Sequence, residues 1–131
     1  MTEHADNLQS LQLDKRRLRD RIKKFYVLLN EQNWESCFKL IDPKLRDAGK
    51  VAFDSYAATL SAFFGAFGPL EDVSVSDLKL YSDVKSKLYG DRDFAYGCVV
   101  CKDREHHPQR LEERWVKATD GRWYTLMVGL V

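Results

Sequence analysis

"QRLEERWVKATDGRWYTLMVGLV", Gln109–Val131, closes the chain and decides how its sheet is faced. Two runs of period two, "RLEERWVKA" (110–118) and "RWYTLMVGL" (122–130), flank Asp120-Gly121, a dipeptide that favours a two-residue hairpin turn. With those residues at the corner, Thr119 pairs with Arg122. Counting outward, Glu112, Arg114, Val116 and Ala118 share a face with Trp123, Thr125 and Met127. The other face holds Leu111, Glu113, Trp115 and Lys117 with Tyr124, Leu126, Val128 and Leu130. Both faces are substantially apolar, more than helices on one side can cover. A second copy of the chain is therefore expected on the other.

Upstream, "DFAYGCVVC" (93–101) reads as a further strand. In "EDVSVSDLKLYSDV" (71–84) the apolar set runs Val73, Val75 and then shifts to Leu78, Leu80, which predicts a bulge near Ser76 or Asp77 and a bent strand. Before the strands the period is helical. Leu11, Leu18, Ile22, Phe25 and Leu29 lie on one helix face, and Arg16, Arg17, Arg19, Arg21, Lys23 and Lys24 fall on the opposite arc, read as a solvated surface. A second helix lies in "NWESCFKLIDP" (33–43), with Asn33 as N-cap and Pro43 as stop. A third lies in "VAFDSYAATLSAFFGAFGP" (51–69), where Phe53, Tyr56, Leu60, Phe63, Phe64 and Phe67 share a face and Gly68-Pro69 ends the run. Three helices followed by an antiparallel meander make one α+β domain over residues 1–131, its helices packed on one sheet face.

Composition narrows the function. Lysine plus arginine total 21 against 20 acidic residues, a balance with no general pull toward nucleic acid or an anionic membrane. The amino-terminal stretch lacks an apolar signal core, no run approaches a membrane span, and three cysteines fit a reducing compartment, so a cytoplasmic location is expected. Cys98 and Cys101, followed by His106 and His107, have zinc-like spacing. On one strand, however, those cysteines point to opposite faces, so neither metal nor cofactor is expected.

Three stretches, "LLNEQNWESCFKLIDP" (28–43), "YGDRDFAYGCVV" (89–100) and "EERWVKATDGRW" (112–123), together resemble nuclear transport factor two-like domains. Among these they are most similar to the association domain of calcium/calmodulin-dependent protein kinase II. The resemblance implies a cone in which a curved sheet wraps the long helix around a pocket, with an outer sheet face that makes dimers. It also implies that Arg114 points into the cone, with Glu112, Trp123 and Met127, although a count of apolar residues alone favours the Trp115 and Leu126 face. A second pocket arginine of that domain falls at Val100.

The site expected on this basis is an apolar pocket of Tyr26, Tyr56, Tyr96, Glu112, Arg114, Trp123 and Met127 for a small apolar or carboxylate-bearing ligand. Trp115, Tyr124, Leu126 and Val128 are expected to form a homodimer interface. Two alternatives stay open, a ligand-free dimerisation module and an isomerase-, dehydratase- or cyclase-like enzyme of the same superfamily. For the enzyme, the oxyanion tyrosine position of the isomerase falls on Phe25, and "LRDAGKVAF" (45–53) has no match to its base segment.

Overall fold

The computed structural model describes residues 2–82 and 90–126. The apolar stripe of the first helix, α1 (Thr2–Asn30), does what its spacing predicts: Leu18, Ile22, Phe25 and Leu29 are buried, joined by Tyr26 and Leu28. Leu11, nearer the helix start, stays exposed. Asn33 caps α2 (Trp34–Phe38) by accepting a hydrogen bond from Ser36 N. Pro43 does more than stop a helix. Its fixed φ and missing N–H suit a first helical position, and with Asp42 as cap it starts a further short helix, α3 (Pro43–Asp47). The helical segments therefore number four among the described residues, the last being α4 (Phe53–Phe67).

The strands β1 (Glu71–Tyr81), β2 (Phe94–Lys102), β3 (Pro108–Lys117) and β4 (Trp123–Thr125) form one antiparallel sheet in sequence order. The expected bulge is present in β1, where pairing jumps from Ser76 opposite Cys98 to Lys79 opposite Tyr96, and Asp77 takes φ 54°. The slip keeps Val75, Leu78 and Leu80 all on the helix-covered face. A second irregularity falls between Glu71 and Ser74.

The β3–β4 register corrects the sequence reading by one residue. Ala118, not Thr119, faces Arg122 at the turn, and along the strands Lys117 lies opposite Trp123, Val116 opposite Tyr124 and Trp115 opposite Thr125. Gly121 N donates to Ala118 O, Ala118 N donates to Arg122 O, and Gly121 takes φ 79°. This is a turn closed by a left-handed glycine, with three loop residues rather than two, and Asp120 accepts the Arg122 N–H inside it. One extra loop residue turns β4 over relative to β3. Trp123 joins Glu113, Trp115 and Lys117, while Tyr124 and Leu126 join Arg114 and Val116.

The helices cover the Trp115 face. Ala95, Val99 and Cys101 of β2 and Leu111 and Trp115 of β3 pack with α1, α2 and α4 in one core. Arg114 and Glu112 thus face away from the helices, which corrects the inward orientation that the resemblance implied; the apolar count ranks the faces as they are. Beyond β4, Thr125 N donates to Leu40 O and Asp42 N to Thr125 O, so the segment before α3 adds a parallel bridge to the short last strand. No helix among the described residues is long and apolar enough to cross a membrane.

Two polar clamps fix the helices to the sheet. Asn30 exchanges two hydrogen bonds of 2.8 Å with the backbone of Leu70. Asp42, 1% exposed, accepts from Lys44 N and from Arg92 Nη1 at 2.9 and 3.0 Å. Removing this carboxylate strips Arg92 of a charged partner and α3 of its cap. Asp42→Ala is expected to lower the unfolding free energy by about 2–4 kcal/mol, measured by urea denaturation.

Candidate functional site

The structure divides the seven expected pocket residues between the two faces of the sheet. Tyr26, Tyr56 and Trp123 lie on the helix-covered side, Tyr96, Glu112 and Arg114 on the other, and Met127 lies outside the described residues. Of the expected interface, Trp115 is corrected to a core residue, 1% exposed, because the helices pack on its face. Tyr124 is also buried, its ring under the Arg21 guanidinium and its hydroxyl donating to Asp120. Leu126 remains on the outer face, and Val128 lies outside the described residues.

On the inner side the polar centre is Glu113, expected with Trp115 on the dimer-forming face. It alternates with Leu111 and Trp115 along β3, so it enters the core by strand geometry alone. Tyr26 Oη donates to Glu113 Oε2 at 2.8 Å and Trp115 Nε1 donates to Oε1 at 3.0 Å. Burial pushes the Glu113 carboxyl up to about 7, and the two donors only partly oppose it. Tyr26 is raised well above the usual phenol range, first by burial and then by the Glu113 charge. Nearby, burial pushes the Cys37 thiol up to about 12. The Tyr56 hydroxyl and the Trp123 indole N–H are buried with no hydrogen-bond partner among the described residues. Aromatic side chains fill this interior: Tyr26, Tyr56, Trp115 and Trp123 are each 2% exposed or less. The signal that finds Glu113 from sequence is its position, one carboxylate in the middle of the most apolar strand face.

On the outer side a groove of about 420 Å³ runs over β1, β2 and β3, lined by Asp77, Lys79, Tyr81, Tyr96, Glu112 and Arg114 together with Cys98. The β1 bulge makes it, by turning Asp77 out to pair with Arg110 at 2.8 Å and leaving Lys79 opposite Tyr96. The half-buried Arg114 guanidinium lies 5.6 Å from the Tyr96 ring centre. No ion pair among the described residues involves Arg114, Lys79 or Glu112. Beside the groove, Phe94 and Val116 are buried under Tyr81, Tyr96 and Leu126.

The remaining chemistry-bearing residues are dispersed. Cys98 and Cys101 occupy opposite faces of β2, as strand alternation requires. His106 and His107 are exposed in the β2–β3 loop. That loop is held by Asp103, which accepts from Glu105 N, His107 N and Gln109 Nε2. It is tied to α4 by Arg104, which donates to the carbonyls of Phe64, Gly65 and Gly68.

The raised Glu113 pKa makes a stability prediction. Below about 4.5 the carboxyl is protonated in both folded and unfolded chains, and its burial carries no ionic penalty. As pH rises from about 4.5 to about 7 the unfolded chain releases its proton while the folded one keeps it, so the folded state loses on the order of 3 kcal/mol from this group, and the loss levels off above 7. Thermal unfolding of the wild type between pH 4.5 and 8 is expected to show that loss, and Glu113→Gln to flatten it. No protein-family model, curated protein or solved structure matches this chain.

Proposed function

We propose that this chain is a single nuclear transport factor two-like domain that binds a small carboxylate-bearing molecule, and that its binding site is the outer groove floored by Tyr96 and Arg114. The observation that carries the reading is Arg114 itself. A half-buried arginine whose guanidinium carbon lies 5.6 Å from a tyrosine ring centre, with no carboxylate partner among the described residues, keeps its planar fork of donors for a ligand. Tyr81 and Tyr96 supply aromatic walls and Lys79 a second cation, so an aryl carboxylate matches both the apolar and the charged parts of the groove.

A second copy of the chain is proposed to cover the same face. Asp77, paired with Arg110, and Glu112 stand there beside Lys79, a mixture of signs that suits a twofold contact around the groove and leaves Arg114 to the ligand. Tyr81, Tyr96 and Leu126 give such a contact its apolar part in place of the buried Trp115. A stable pair needs on the order of 1,500 Å² in total.

A second reading, an isomerase- or dehydratase-like enzyme, draws on a different observation. A carboxyl whose pKa is about 7, 2.8 Å from a tyrosine hydroxyl, is suited to moving a proton next to a polarised carbonyl. It is the weaker reading, because aromatic side chains occupy the space a substrate needs.

Titration calorimetry with benzoate and phenylacetate tests the principal reading. Binding is expected to weaken at least about tenfold in Arg114→Ala, the loss of one charge-assisted contact, and to be unchanged in Glu113→Gln. Equal affinities for wild type and Arg114→Ala would remove Arg114 from the site, and binding lost only in Glu113→Gln would move the function to the interior. For the pairing of chains, light scattering is expected to give a dimer for the wild type and a folded monomer for Leu126→Asp; a wild type that is monomeric at high micromolar concentration refutes it.

A further inference from the structure

α1 presents a basic stripe that is more than a solvated surface. Arg17, Arg21 and Lys24 recur at spacings of four and three, immediately beside the buried Leu18, Ile22 and Phe25, which places them on the edge of the helix that meets the sheet. The β3–β4 turn brings Arg122 and Trp123 up against this edge. Between the two elements lies a cleft of about 310 Å³, whose lining carries those four cations and one acid, Asp20.

The cleft is held in shape by Arg21. Its Nε donates to Trp123 O at 3.0 Å and its guanidinium carbon sits 5.0 Å from the Tyr124 ring centre, so one cation spans from helix to strand. Asp120, at the turn, has its carboxylate occupied by the Arg122 backbone N–H and the Tyr124 hydroxyl. No ion pair among the described residues involves Arg17, Lys24 or Arg122. Burial lowers the Arg21 pKa and the Arg122 charge lowers it further, a repulsion that an anion between the two would relieve.

We propose that this cleft binds a compact phosphate-bearing small molecule, with Arg21 and Arg122 gripping its phosphate from opposite walls and Arg17 and Lys24 completing the charge. A single carboxylate satisfies one guanidinium, whereas four cations around one small volume call for the multiple charges and oxygens of phosphate. The volume suits a small ligand, and the near-neutral charge of the whole chain gives no extended track for a polymer. The site is separate from the Arg114 groove and stands on different residues.

The test uses the full chain and inorganic pyrophosphate as probe. Calorimetry in 150 mM salt, a concentration that screens weak surface contacts to within about 8 Å, is expected to show saturable binding at one site per chain. Arg122→Ala, and separately the pair Arg17→Ala and Lys24→Ala, are expected to weaken it by about tenfold or more. Both changes are at exposed side chains, and Arg114→Ala is expected to leave pyrophosphate binding unchanged. No saturable binding, equal affinity in Arg122→Ala, or a single-stranded oligonucleotide that outcompetes pyrophosphate at equal phosphate concentration would overturn the proposal.

Discussion

The structure depends on the length of one turn. Three residues, Thr119 to Gly121, separate the paired ends of the last hairpin, and the left-handed Gly121 lets the chain close there. With that register, Trp123 falls beside Trp115 on the helix-covered face, and the two indoles together with Tyr26 and Tyr56 fill the interior. A two-residue turn would have set Tyr124 there and left Trp123 outside. The same choice lifts Tyr124 and Arg122 toward α1, so one glycine conformation orders both the core and the cleft at its edge.

A core built this way carries a charge-bearing group it has no apolar reason to keep. Glu113 is held by a phenol and an indole, donors that are fixed by packing and supply two of the contacts a carboxylate needs. They do not make good the lost hydration, which is why its proton is retained to about 7. The Tyr26 contact joins α1 to β3 through residues 87 positions apart in the chain, and so fixes the depth at which the long helix sits on the sheet.

Much of this architecture was legible from residue order. The heptad-like stripe of α1, the Asn33 cap, the alternation of β2 and the β1 bulge all follow from local spacing, and local rules decide them. What failed was the step that local rules do not settle. Asp-Gly is compatible with two loop lengths, and the choice between them depends on whether Trp123 or Tyr124 packs beside Trp115 in the core, a tertiary matter. The error then passed into the site, because a set of pocket residues drawn across the hairpin inherits its facing. Arg114, a pocket residue by the resemblance, remains a candidate, but on the opposite side of the sheet; Glu113 was passed over because it was counted on the dimer face. Its place between Leu111 and Trp115 was the available clue.

The irregularities of β1 have a meaning beyond the groove they shape. Among the described strands β1 is the free margin of the sheet, and a long straight margin of unpaired N–H and C=O groups is a template for stacking chains end on end. Two breaks in its pairing, with Asp72 and Asp77 both forced to positive φ, interrupt that template, and Lys79 sets a charge beside the second break. The opposite margin, β4, is short and already bridged by Ile41. Both borders of the sheet, among the described strands, are thus poor seeds for runaway polymerisation.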